Sequence, residues 1–145
     1  MGKLFTIYGI EASIMTSDSP SETYSVLADG IDNVAEALNE VVQQYFFIKD
    51  SGFATNHVTG MAPAYTFTGR RVIGDAAQDY IFSKKYGLDT ERQTKLKIVY
   101  ADEADADTTI ECPCTICNIQ EFSGASTDDS AISFEVRFDG KPTVS

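Results

Sequence analysis

The feature that most constrains the fold is a strict alternation of apolar and polar residues near the end of the chain. Within residues 130–138, every second residue from Ile132 to Phe138 is apolar, and the positions between these are polar or charged. A second run, Ala64–Arg70, alternates Tyr65 and Phe67 with threonines. A period of two places one set of side chains on each face of a strand. Both runs therefore predict half-buried antiparallel strands.

Further β-prone runs lie at residues 4–16, 24–28, 94–100 and 108–119. The stretch 34–48 is ambiguous, because its apolar residues recur at helical spacing. Residues 40–48 are nevertheless rich in β-branched and aromatic residues, so we predict a strand there, and leave open that 33–48 begins as a helix. The segment 49–63, with two glycines and a proline, is predicted to be a long loop.

One helix is predicted after Asp75. This residue precedes Gln78 by three positions, in the arrangement of a capping box. Gly87 is the expected stop signal, which would place Lys84 and Lys85 in the last turn. With about seven strands, the chain is predicted to be mainly β: a β-sandwich or barrel with one flanking α-helix, forming a single domain over residues 1–145.

The formal charge is −11, and it is unevenly placed. Residues 70–97 carry a net charge of +3, so the remainder carries −14. Such a chain repels nucleic acid, because phosphate binding needs clustered Lys and Arg. A basic middle on an acidic body suits self-association, although two solvated faces explain it equally well. No apolar run approaches the ~20 residues of a membrane span, so no membrane partner is expected.

Residues that could carry chemistry are few. Cys112, Cys114 and Cys117 have the close spacing of metal ligands, but on one strand Cys117 would point away from the other two. They are therefore expected to be small core residues, with no metal or cofactor. His57 is the single histidine and lies in the predicted loop. No catalytic constellation is visible, and the chain is predicted not to be an enzyme.

Several segments, in this order, carry a resemblance to a known family. Val58-Thr59-Gly60 is followed by Tyr65–Arg71 and then by Gly74-Asp75 at the helix start. Later come Thr115–Ile119, Ser133–Phe138 and Gly140-Lys141-Pro142. In order and spacing these segments, over residues 40–142, resemble the major tail tube proteins of tailed bacteriophages, most closely those of long non-contractile tails.

The resemblance implies a structural virion protein that self-assembles into stacked hexameric rings, meets the tape measure and other tail proteins, and encloses a channel for DNA ejection. It also implies a location in the virion tail, after assembly in the host cytoplasm. The segment 49–63 would be an arm reaching a neighbouring subunit or ring. Candidates for contacts between subunits are Asp50, Gly52, His57, Gly60, Arg70, Arg71, Lys84 and Lys85.

A net negative channel would let DNA slide without specific binding. Carboxylates on polar strand faces are the candidates for lining it: Glu40, Glu111 and Glu135. Two alternatives stay open at this point. One is a monomeric β-sandwich that binds a carbohydrate or receptor through exposed aromatic residues. The other is a small metal-binding protein built on the three cysteines.

Overall fold

The computed structural model describes residues 2–102 and 104–145. Within these residues it contains ten strands, one α-helix and three short 3-10 helices (Ile7–Gly9, Ile48–Asp50 and Asp89–Arg92). The helix α1 spans Ala76–Ser83. The strands are β1 Glu11–Ser17, β2 Thr23–Val26, β3 Ile31–Ala37, β4 Val41–Tyr45, β5 Thr55–Gly60, β6 Ala64–Arg70, β7 Gln93–Ala101, β8 Asp107–Gln120, β9 Ala131–Phe138 and β10 Thr143–Val144.

One antiparallel sheet contains eight of these strands, in the order β2-β1-β7-β8-β9-β6-β3, with β10 beside β8. The long strand β8 joins its two halves. Residues 107–115 of β8 pair with β7, whereas residues from Cys114 onward pair with β9. The strands β2 and β3 form the two edges of this sheet.

The alternation predicted from the sequence decides which face of the sheet is buried. Ile132, Phe134, Val136 and Phe138 all face the core and are at most 8% exposed. Phe134 stacks on Phe67 at 5.3 Å between ring centroids and meets Phe82 of α1 edge-on. Side chains of β1, β7 and β8 join the same cluster, so the two halves of the sheet enclose one core with α1 packed against it. The predicted mainly β fold with a flanking helix is confirmed.

The start of α1 also confirms its prediction, because the Asp75 carboxylate accepts a hydrogen bond from the Gln78 backbone N–H at 3.1 Å. The Gln78 side chain does not reach back to Asp75. It is fully buried and donates instead to the carbonyl oxygens of Asp29 and Arg70. The predicted end of the helix is wrong: α1 ends at Ser83, so Lys84 and Lys85 follow the last turn and Gly87 lies beyond it.

Two other predictions need correction, and one open alternative is settled. Residues 4–10 are not part of a strand, since β1 begins only at Glu11. The stretch 33–48 contains no α-helix; it is divided between β3 and β4, and the strand predicted at 40–48 is confirmed as β4. The segment 49–63 is not a simple loop, because β5 lies within it and pairs with β4. Among the described residues, no helix is long and apolar enough to cross a bilayer.

Candidate self-assembly surfaces

The strands β4 and β5 form a two-stranded hairpin that pairs with no other strand among the described residues. All five residues of β4 are exposed, as are the four central residues of β5. The hairpin leaves the sheet at the β3–β6 junction, where the Ala62 N–H donates to the Leu38 carbonyl oxygen and the Asn39 amide donates to the Ala62 carbonyl oxygen, both at 2.9 Å. It is therefore anchored at its base, and most of its residues are exposed to solvent.

Large apolar side chains cover this hairpin although it has no core of its own. Nine of them are at least 43% exposed, and Ile48 at the tip is 99% exposed: Val41, Val42, Tyr45, Phe46, Phe47, Ile48, Phe53, Val58 and Met61. Monomeric proteins rarely expose apolar patches larger than a few hundred square ångströms. An isolated two-stranded hairpin is also only marginally stable in water. Both facts indicate a surface that another molecule covers.

The total surface supports the same conclusion. The chain exposes 9375 Å², whereas a folded monomer of 15.8 kDa is expected to expose roughly 7300 Å². The excess of roughly 2000 Å² is comparable to the area that a stable protein–protein interface buries. A chain of this size with so much surface is shaped for association.

Four of the candidate contact residues lie on the hairpin. Asp50 accepts a hydrogen bond from the Thr55 hydroxyl at 3.0 Å, which closes the tip. Gly52 adopts a φ of +92° in the turn. His57 meets the ring of Tyr45 edge-on at 5.9 Å, and Gly60 pairs with Val41 at the base. Their role between subunits stays a prediction, but the fold gathers them on one exposed element.

The basic candidates lie at the other end of β6, and two of them are held within the chain. The Arg71 guanidinium pairs with Glu121 at 2.8 Å and with Asp79 at 2.9 Å. The Lys85 ammonium pairs with the other oxygen of Glu121 at 2.7 Å. The side chains of Arg71, Lys85 and Glu121 are only 12–18% exposed. Arg71 and Lys85 are therefore not expected to form ion pairs with a neighbouring subunit.

Burial in this cluster raises the pKa of Glu121, but the hydrogen bonds from Lys85 and Arg71 outweigh it and hold that pKa below its ordinary value. The side chains of Arg70 and Lys84 make weaker contacts within the chain. Arg70 makes an exposed pair with Asp129 at 3.5 Å, and the Lys84 ammonium lies 5.4 Å from the centre of the Tyr80 ring.

Glu111 and Glu135 lie on the face of the sheet opposite the core, as predicted from their strand positions. Glu111 pairs in register with Lys97, and Glu135 forms an ion pair with Arg137. By strand register this face carries four acidic and four basic residues: Glu11, Asp107, Glu111 and Glu135 against Arg70, Lys95, Lys97 and Arg137. Two further carboxylates reach it from just outside the strands, since Glu22 pairs with Lys95 at 2.6 Å and Asp139 accepts a hydrogen bond from the Thr115 hydroxyl at 2.7 Å. The face is therefore net acidic, and Glu40 lies apart from it, exposed just before β4.

The three cysteines divide as the strand period predicted. Cys112 and Cys114 are fully buried in the core, whereas Cys117 is partly exposed on the other face of β8. Burial raises the pKa of the Cys112 and Cys114 thiols. Within residues 2–102 and 104–145, no group of three His, Cys, Asp or Glu side chains is arranged to hold a metal ion.

No family model and no curated protein sequence matches the chain. Solved structures do match it. The tail of an empty gene transfer agent particle, determined with C6 symmetry, superposes with a TM-score of 0.75 at 8% identity, covering 98% of this chain and 99% of that one. The tail tube of SPP1 gives a TM-score of 0.71 at 15% identity, covering 97% and 78%.

A sheath–tube complex of an extracellular contractile injection system also matches, with a TM-score of 0.60 at 10% identity and coverage of 98% and 91%. At these identities the likeness concerns the fold alone. The tail-tube-like fold that the sequence resemblance implied is confirmed over nearly the whole chain.

Proposed function

We propose that this chain is a structural subunit of a phage tail tube, which self-assembles into hexameric rings that stack into the conduit for DNA ejection. The observation that carries the proposal is the solvent-exposed apolar hairpin β4–β5 on a chain with the fold of tail tube proteins. A monomer would leave the apolar side chains of this hairpin in water, whereas a repeating assembly covers them on every subunit.

Open sheet edges support the formation of rings. Among the described strands, none covers the outer side of β3, which is seven residues long, or of β2 at the opposite edge. Unpaired edges are sites for pairing with another chain, and closing a sheet on itself removes them. In a ring, the β3 side of one subunit would lie against the β2 side of the next.

Stacking would use the hairpin as the arm that reaches an adjacent ring. Its contacts would be mainly apolar, since only Glu40, Lys49, Asp50 and His57 carry or can carry charge there. Exposed ion pairs contribute only ~0.2–1 kcal/mol each. Arg70 and Lys84 would therefore set the register between subunits more than they stabilise the tube.

The negative charge of the chain would let DNA pass through the tube without binding to it. Six chains would bring six times −11 to each ring, so the tube as a whole repels phosphate and offers no basic groove. The polar sheet face carries more carboxylates than cations once Glu22 and Asp139 are counted with Glu111 and Glu135. If this face lines the channel, DNA would meet a net negative surface that does not bind it. The tape measure and other tail proteins would be further partners in a virion tail assembled in the host cytoplasm.

Electron microscopy of the purified chain over a concentration series, combined with mass measurement in solution, tests the proposal. We expect hollow tubes of uniform width or six-membered rings. A chain that stays monomeric at every concentration contradicts the proposal and favours the monomeric binding module.

A further inference from the structure

A second exposed apolar surface lies at the end of the sheet opposite the hairpin. It consists of four side chains on the loops that follow β6, α1 and β8: Ile73, Tyr86, Leu88 and Phe122, which are 72–89% exposed. We call these four residues the distal patch. The hairpin joins β6 at Ala64, and the distal patch begins three residues after Arg70, at the other end of that strand. The length of β6 separates the two surfaces by roughly 20 Å.

The distal patch is rigidly built. Glu121 holds Lys85 and Arg71 together, which ties the loop after α1 to the loops after β6 and β8. The Lys85 ammonium lies 4.1 Å from the centre of the Phe122 ring and 5.2 Å from that of Tyr86, between the two exposed aromatic side chains. Arg92 donates to the carbonyl oxygens of Lys85 and Gly87, which fixes the turn carrying Leu88. These contacts hold Tyr86, Leu88 and Phe122 in place before any partner binds.

We infer that the distal patch is the docking site for the β4–β5 hairpin of a second copy of this chain. The inference rests on the proposed function and adds the surface that receives the hairpin. A protrusion at one end and a complementary apolar patch at the other make a head-to-tail contact, which repeats along an axis instead of closing into a dimer. Pairing of two hairpins with each other would leave the distal patch of both copies in water. A head-to-tail stack covers both surfaces in every repeat.

The area is sufficient for this contact. The surface excess of roughly 2000 Å² per chain has to be shared between lateral and end-to-end contacts. The nine exposed apolar residues of the hairpin and the four of the distal patch supply apolar area for the end-to-end share. Ile48 at the tip and Tyr86 in the patch are the side chains whose substitution tests the contact most directly, because their exposure leaves folding unaffected.

The experiment compares Ile48→Glu, Tyr86→Lys and the double variant, with Leu4→Lys as a matched control. Leu4 is 95% exposed and belongs to neither surface. Tube length by negative-stain microscopy and ring formation by mass in solution are measured for each. We expect each single substitution to shorten the tubes at least tenfold while rings persist, because a charge replaces an apolar contact. The double variant should recover length by pairing the new charges, and the control should match the unmodified chain.

Tubes of normal length from either single variant overturn the inference but leave the proposed function standing. The same holds if the control Leu4→Lys shortens the tubes equally. It also holds if the chain forms dimers that Ile48→Glu dissociates and that Tyr86→Lys leaves intact. If the unmodified chain forms neither rings nor tubes, this result contradicts the proposed function and, with it, the inference.

Discussion

Arg71 and Glu121 are separated by 50 positions in the sequence, yet the Arg71 Nε donates to the Glu121 carboxylate at 2.8 Å. Both side chains are nearly buried, and Lys85 completes the cluster from the end of α1. A single carboxylate thus connects the helix to the ends of β6 and β8.

Glu121→Gln is expected to lower the free energy of unfolding by ~3 kcal/mol, because it leaves two nearly buried cations without a full counter-charge. Urea denaturation of the soluble chain measures this loss. Asp129→Asn is the matched control, since its pair with Arg70 is exposed and contributes less than ~1 kcal/mol. Equal losses of unfolding free energy in the two variants would contradict the larger contribution of Glu121 to stability.

Lowering the pH should reduce the free energy of unfolding of the unmodified chain more than that of the Glu121→Gln variant. The pKa of Glu121 is lowered in the folded chain, so its contribution is complete above the unfolded pKa and is lost as the pH falls through the folded pKa. Unfolding free energies measured from pH 7 down to pH 3 should converge for the two proteins below about pH 4.5. Curves that stay parallel to pH 3 would disprove this contribution.

Gly69→Ala should destabilise the fold by ~3 kcal/mol or more, because the backbone just before β3 lies too close to β6 for a side chain at this position. A Cβ at this position would lie 1.9 Å from the Gly30 carbonyl oxygen. Thermal unfolding measures the effect. Gly60→Ala is the control, since a Cβ there meets only Val41 at 3.8 Å, and its midpoint should change little.

In the folded chain one cysteine of three should react with a thiol reagent at pH 8. Cys117 is partly exposed, whereas Cys112 and Cys114 are buried and their pKa values are raised. Counting labelled thiols by mass spectrometry tests this, with a urea-unfolded sample giving three. Rapid labelling of all three without urea would show that the core around β8 is open.

Replacing residues 40–61 by one glycine should abolish assembly and preserve the fold. The new turn would be Leu38-Asn39-Gly-Ala62, and Asn39 already has a φ of 51° that suits an Asn-Gly turn. Because the hairpin pairs with none of the other strands that the structure describes, the thermal midpoint should stay within a few degrees. Tubes that still form without the hairpin would contradict its role.

The sequence by itself determined the strands that border the core. Burial on one face imposes a period of two, so Tyr65 and Phe67, like Phe134 and Val136, indicated both the strand and its inward face. The helix start was readable for a similar local reason, because the Asp75 side chain caps a backbone N–H only three residues away. These signals need no knowledge of distant parts of the chain.

Only the tertiary structure decided the rest. The strand β5 was predicted to be a loop because a hairpin in solvent has no buried face, and without one the sequence carries no period. The stretch 33–48 has helical spacing, but β3 lies beside β6, whose backbone supplies the hydrogen bonds of a strand. The Arg71–Glu121 pair and the two apolar surfaces at opposite ends of β6 depend on contacts between segments far apart in sequence, which local patterns do not encode.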